Sequence, residues 1–311
     1  MIVRGPRAIR AGLGVAGAAL LALSLPGFFP REALAFELLA HFRVQFLTAA
    51  AVLSLLSVFA GSRWATLFAA AALVANATAV YGAMAAAEGL NAGRRGEPVV
   101  TIVWANLQEH PRALERVAAL AQAEDADIVA LTELTAGGVE AAMQALPGFE
   151  CQTPVMGAAN RLTTLILARS CEAVGSSRLP SPSDVVWLES GGLRVVAAHP
   201  IPPLSDSLWA ARDQAIEAAV DLRSLSGPTV MVGDFNATPY TVAFEGAARA
   251  GLRRARCGGP FVSTWRSANP LLGLHIDHAF VSQGVRLVGC RAGPWSRSDH
   301  APLVVQVQRA G

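Results

Sequence analysis

The chain has 311 residues, 53% of them apolar, with 25 Lys plus Arg against 23 Asp plus Glu and a formal net charge of +2. A mean hydropathy of +0.41 is too high for an ordinary water-soluble enzyme, and the apolar excess lies almost wholly before residue 96. From Glu97 onward, 17 Arg stand against 20 Asp plus Glu, a net of −3, which excludes the basic footprint of a high-affinity nucleic-acid binder. It leaves open an enzyme whose bound divalent cation offsets local charge.

In chain order, positions 11–30 carry no charge, nor do 44–62, and residues 64–87 form the longest such run. A hydrocarbon core is crossed by about 20 apolar residues in a helix. Three transmembrane helices are therefore expected, at about 11–29, 44–61 and 64–87; a buried helical domain is the alternative. In residues 31–43, Leu34, Leu38, Leu39 and Phe42 recur at helical spacing among Arg31, Glu32, Glu37 and Arg43. This pattern predicts an interfacial amphipathic helix with His41 at the interface. Ala33-Leu34-Ala35 resembles a signal-peptidase site, but cleavage there leaves two spans. Arg4, Arg7 and Arg10 ahead of the first span favour a cytoplasmic N-terminus, and three crossings then place the downstream domain on the far side. The remaining arginines do not decide the orientation.

Residues 88–98 read as a linker. Beyond it, strand patterns at Val99–Trp104, Asp127–Leu131, Leu162–Ala168, Leu193–Ala198, Thr229–Val232, Ile276–Val281 and Pro302–Val307 alternate with helical patterns at Arg112–Glu124, Gly138–Ala145 and Leu208–Leu225. The expected organisation is a membrane region over 1–96 and one α/β domain over 97–311. All four cysteines, Cys151, Cys171, Cys257 and Cys290, fall in that domain. Two local disulfides, Cys151 with Cys171 and Cys257 with Cys290, suit an oxidising compartment. Four buried thiols fit the spacing equally.

Polar residues capable of phosphate chemistry stand at the ends of these apolar strands. Asn106 follows the first, and Glu133 lies two residues past Leu131. A carboxylate so delivered suits Mg²⁺, although Glu133 also fits a helix start. Gly233-Asp234-Phe235-Asn236 ends a buried strand, and in extended geometry Asp234 and Asn236 face the same way. Asp277 lies in an apolar strand, where an unpaired carboxylate is costly. His300 of Ser298-Asp299-His300 is its expected partner, with His278 packed on the opposite face and His275 on the face of Asp277. His199 ends the strand Leu193–Ala198 and is a candidate acid.

This ordered set (Asn106, Glu133, His199-Pro200, Gly233-Asp-Phe-Asn236, Ile276-Asp-His278, Ser298-Asp-His300) resembles the endonuclease/exonuclease/phosphatase, or DNase I-like, superfamily over about 99–308. With its N-terminal apolar helices it looks like the bacterial membrane-anchored branch. The resemblance implies a four-layer α/β/β/α sandwich preceded by a transmembrane helical region. It implies Asn106, Glu133 and Asp299 on the metal side, with Mg²⁺ or Mn²⁺ as cofactor. It implies His199, Asp234, Asn236, Asp277 and His300 as catalytic residues, Asn236 and His300 binding phosphate. The expected activity is hydrolysis of phosphodiesters or phosphomonoesters at the bacterial inner membrane, with the catalytic domain periplasmic. Nucleic acid is one expected substrate; phospholipid or inositol phosphate is the alternative, and a catalytically inactive tethered binding protein is another. The lipid bilayer is the expected partner, with no protein partner predicted. A nucleic-acid groove would draw on Arg161, Arg212, Arg253, Arg254 and Arg256. Apurinic-site endonucleases of the superfamily use an active-site Tyr; the domain's sole Tyr, Tyr240, lies four residues after Asn236, which argues against DNA repair.

Overall fold

The computed structural model describes residues 6–155, 163–178, 184–221, 227–266 and 270–310. They form two compact units: Met1–Ala85 with Thr238–Val242, and Ala86–Ala237 with Ala243–Gly311.

The first unit is helical: α1 (Arg7–Ser24), α2 (Leu34–Ala40), α3 (Arg43–Phe59) and α4 (Arg63–Ala85). Arg7–Phe28 and Arg63–Ala85 are long and apolar enough to cross a membrane, and α2 with α3, bent by 62°, makes a third if the pair counts as one span. Val15, Leu55, Phe59 and Val74 face outward, an apolar exposure typical of interaction with lipid or another protein. The segment 31–43 differs from its expected form. Its helix is only Leu34–Ala40, and Glu37, His41 and Arg43 are buried within the helical unit. The physical reason lies in Arg43, whose guanidinium donates to Ser24 O at 2.8 Å and to Asn76 Oδ1 at 3.2 Å. Asn76 Nδ2 donates in turn to Ser24 Oγ at 2.8 Å. One polar clasp thus ties α1, α3 and α4 together, where apolar packing alone is unspecific.

In the second unit two six-stranded sheets lie face to face. One has the order β11 (Val285–Ala292), β12 (Leu303–Arg309), β1 (Val100–Asn106), β2 (Ile128–Leu134), β4 (Thr163–Ala168), β3 (Cys151–Gln152). The other runs β5 (Ala173–Arg178), β6 (Asp184–Ser190), β7 (Leu193–Ala198), β8 (Thr229–Asp234), β10 (Asp277–Val281), β9 (Arg253–Arg254). Both are mixed, with β1–β2 and β7–β8 parallel. Side chains alternate between two buried faces, which explains why these strands read as continuous apolar runs. Ile102, Trp104, Val230 and Val232 point into the core between the sheets. Val103, Val129 and Leu131 meet α5 (Pro111–Ala123) and α6 (Ala136–Ala145). Val196, Met231 and Phe280 meet α7 (Asp206–Asp221) and α8 (Glu245–Arg249). The architecture is the four-layer α/β/β/α sandwich, with apolar helices N-terminal to it.

The cysteines pair as Cys151–Cys171 and Cys257–Cys290, with Cα separations of 6.0 and 4.4 Å. The second pair joins the two sheets, because Cys290 lies on β11 and Cys257 follows β9. Gly233 explains a further constraint of the sequence. A Cβ at this position would stand 2.2 Å from Ala198 O and 2.9 Å from the Phe235 ring. Gly233→Ala should therefore destabilise the protein by about 1–3 kcal/mol through overpacking, seen as a lower thermal midpoint of the full chain in detergent. An unchanged midpoint would show that β7 and β8 can separate freely.

Candidate active site

The parity of the strands builds the site. On β1, Ile102, Trp104 and Asn106 share the inner face; on β8, Val230, Val232 and Asp234 do; on β10, Asp277 shares it with Ala279 and Val281. Register then aligns the polar ends: Asp277 is paired directly with Asp234, and Ala198, just before His199, with Gly233. The polar side chains thus converge where the two inner faces open at one end of the sandwich. Glu133 breaks this rule. Alternation would place it with Val129 and Leu131 under the helices, but the register of β2 against β4 shifts between Leu131 and Leu134, and Glu133 has φ +55°. A bulge of this kind re-aims a side chain. The Glu133 carboxylate consequently accepts from Asn106 Nδ2 at 2.8 Å.

Asp277 is completely buried and fully partnered. Its Oδ1 accepts from Trp104 Nε1 at 2.9 Å, across the sandwich, and its Oδ2 lies 2.8 Å from His300 Nδ1. Thr264 Oγ1 accepts from the Ile276 and Asp277 backbone N–H groups at 3.1 and 3.0 Å, fixing the start of β10. Burial alone would lower the pKa of His300, but the Asp277 and Asp234 carboxylates outweigh it and push it up to about 10. His300 is therefore an imidazolium held in one orientation.

Asp234 Oδ2 is the centre of the cluster. It lies 3.1 Å from Asn106 Nδ2, 3.5 Å from His199 Nε2 and 3.6 Å from His300 Nε2. His199 Nε2 is also 3.6 Å from Glu133 Oε1. Burial opposes ionisation of Asp234, yet the His300 and His199 charges and the Asn236 N–H hold its carboxyl below the ordinary value. For His199, burial is outweighed by the hydrogen bond and charge of Asp234 and by Glu133, so its pKa is raised. Ligand atoms of Glu133, His199 and Asp234 lie within 4.8 Å of one another, as do those of Asp234, Asp277 and His300. The Glu133 and Asp234 carboxylates offer the oxygen ligands that suit a hard divalent cation such as Mg²⁺ or Mn²⁺; Asn106 donates its Nδ2 to both, while its Oδ1 accepts from Gln108 N at 3.0 Å.

The remaining residues surround this cluster. Asp299 stands at the rim, with Oδ2 accepting from Trp265 Nε1 at 3.0 Å and Oδ1 3.9 Å from His300 Nε2. Asn236, at φ +48°, donates its Nδ2 to Pro200 O at 2.9 Å, which leaves one N–H of that amide for a phosphate oxygen. Arg212, expected to serve a nucleic-acid groove, is fully buried. It bonds Asp213 at 2.9 and 2.6 Å and donates to Asn236 O at 3.4 Å, so it braces the loop after β8. Arg253 is paired with Glu88 at 2.8 Å, and Arg161 lies outside the described residues. His275 does not share the face of Asp277. It precedes β10, so strand alternation does not apply, and its ring stacks on His278 at 4.9 Å and 7°. Burial drives both imidazoles down, His275 to about 3 and His278 well below its ordinary value. Neither can serve as a cation. Trp104, Thr264 and Trp265 have no signature in the sequence, because an indole in an apolar strand and a threonine in a loop carry no motif. Trp104→Phe should leave a buried Asp277 oxygen without its donor at a cost of about 1–3 kcal/mol, seen as a lower thermal midpoint. An unchanged midpoint would mean that Asp277 is satisfied without the indole.

Comparisons with known proteins agree with this fold. Structures of the same fold include an endonuclease/exonuclease/phosphatase family protein from Bacteroides thetaiotaomicron (TM-score 0.57, 16% identity, 69% of this chain and 99% of that one). A mannosyl-6-phosphatase from the same organism superposes with TM-score 0.52 at 18% identity, covering 67% and 99% of the two chains. A 3'-5' exonuclease from Neisseria meningitidis does so with TM-score 0.55 at 22% identity, covering 68% and 100%. At these identities the likeness establishes the fold. No curated protein sequence matches the chain. The profile of the Endonuclease/Exonuclease/phosphatase family matches residues 103–300, which span the cluster from β1 to His300. The chain belongs to the endonuclease/exonuclease/phosphatase family.

Proposed function

We propose that this protein is a membrane-anchored, divalent-metal-dependent phosphoesterase. The observation that carries this reading is the convergence of Asn106, His199 and His300 on Asp234 Oδ2 at 3.1–3.6 Å, with Glu133 alongside. Family membership supports hydrolysis of phosphate esters, and the apolar helices Arg7–Phe28 and Arg63–Ala85 support the anchor. Mg²⁺ or Mn²⁺ would be held by Glu133, with the amide oxygen of Asn106 and the Asp299 carboxylate as further oxygen ligands. When bound, the ion supplies Lewis-acid stabilisation of phosphoryl charge.

The protein's own groups divide the remaining work. Asp234, kept ionised, orients the attacking water and accepts its proton. The His300 imidazolium, locked by Asp277, and the free N–H of Asn236 bind the equatorial phosphate oxygens. His199 donates a proton to the departing oxygen. These donors are fixed before substrate arrives, so most of the acceleration is electrostatic preorganisation. The reading places the catalytic domain in the periplasm of a bacterial cell, on the orientation favoured by Arg4, Arg7 and Arg10 and consistent with the two disulfides.

Full-length protein in detergent, assayed with Mg²⁺ or Mn²⁺ against plasmid DNA, RNA, inositol phosphates and phospholipids, tests the proposal. Chelation and Glu133→Gln should each abolish turnover, and His300→Ala should lower kcat by roughly 10²–10³. Turnover that survives both chelator and Glu133→Gln would contradict the metal assignment. Silence on every phosphate ester would favour a catalytically inactive binding protein.

A further inference from the structure

Glu133 lines a second feature. Its bulge leaves it at the boundary between the sandwich core and the helical layer, where a cleft of about 550 Å³ opens between α5 and α6. This volume lies in the range of sites for small organic ligands, about 300–1,000 Å³. The cleft is walled by Leu107, Leu114, Leu134, Ala141 and Ala145. Its ionisable groups besides Glu133 are Glu109, Glu115 and His110; among the described residues no arginine lines it, and the chain has no lysine. The wall before α5 is attached to the strand that carries Glu133, through Leu107 N donating to Thr132 O and Glu109 N to Glu133 O, both at 3.1 Å. The cleft is therefore preformed, and it shares Glu133 with the catalytic cluster.

We infer that this cleft receives an uncharged hydrocarbon substituent of the phosphate ester, such as an alkyl or acyl chain of a lipid. The inference rests on the phosphoesterase reading and names its substrate class. A phosphate held at Asp234, His199 and His300 has its ester substituent within reach of the far side of Glu133, where the surface turns apolar. A second phosphate, as in a nucleic-acid strand, would there meet Glu109 and Glu115, with no arginine or lysine among the described lining residues to offset them. A hydrocarbon chain carries no charge for these acids to repel, and it covers the leucine walls.

The test uses full-length protein in nanodiscs with Mg²⁺ and p-nitrophenyl phosphodiesters whose second substituent is methyl, butyl, octyl or thymidine, each below its micelle concentration. The expected result is a kcat/KM that rises with chain length, by up to roughly fourfold per covered methylene, as a transfer free energy of about 0.8 kcal/mol implies. Gly137 lines the cleft, and a Cβ there meets nothing within 4 Å. Gly137→Phe should therefore fill the cleft, remove the chain-length dependence and leave the methyl ester unaffected. Equal rates for methyl and octyl esters, preference for the thymidine ester, or a dependence that persists in Gly137→Phe would overturn the inference while the phosphoesterase reading stands. If no ester is hydrolysed, that reading fails, and calorimetric binding of octyl phosphate against methyl phosphate decides the cleft by itself. Tighter octyl binding that Gly137→Phe abolishes would retain it as a hydrocarbon site; equal binding would remove it.

Discussion

A carboxylate without solvent sets the terms of this site. Asp277 is completely buried, and an isolated charge in such a place is prohibitively expensive unless paired and hydrogen-bonded. Its partners come from the opposite sheet and from the segment before β12, Trp104 on β1 and His300, while Thr264 anchors its own backbone. Satisfying this one side chain therefore fixes the spacing of the sandwich at its open end. It also fixes the ring of His300, which in turn keeps Asp234 ionised. The remaining geometry of the cluster depends on that chain of contacts.

A second constraint is conformational. Gln108, Glu109, Glu133, Asn236 and Arg297 all adopt positive φ, a region that non-glycine residues enter at some cost. Glu133 and Asn236 belong to the site itself, and the other three flank it in the loops before α5 and before Ser298. Apart from Asp125, in the turn after α5, the positive-φ residues other than glycine among those described thus gather at the site and its flanking loops. Glu133 is the clearest case, since regular pleating would bury its carboxylate beneath α5 and α6. The bulge places the same residue against both the catalytic cluster and the apolar cleft.

Much of this was legible in the sequence, for physical reasons. Apolar runs that end in Asn106, Asp234 and His199 mark strands buried on both faces and opening at one end. Asp277 in an apolar strand required a partner, and His300 is that partner. What escaped the sequence depended on tertiary placement. Trp104 reads as core, and its hydrogen bond across the sandwich has no local signature. Arg212 reads as an available cation but is consumed by Asp213 and the Asn236 carbonyl. The strand β5 (AVGSSR) is small and polar, and β11 is interrupted by the irregularity at Gly289, so neither stood out as a periodic pattern. In the helical unit, charge at Glu37 and Arg43 reads as interfacial, whereas the Ser24–Arg43–Asn76 clasp takes Arg43 inside. A polar residue in an apolar segment can be solvated or clasped, and periodicity does not distinguish the two.

The central claim is that Glu133, turned inward by its bulge, holds the cation beside Asp234 and Asn106. The most direct measurement is an anomalous-difference map from crystals of the full-length protein grown with Mn²⁺. The account predicts one strong peak in coordination distance of the Glu133 carboxylate, about 2–2.5 Å away for an oxygen ligand, absent from crystals of Glu133→Gln. A peak seated instead on Asp277 and His300, or a map with no peak at the cluster under saturating Mn²⁺, would contradict it.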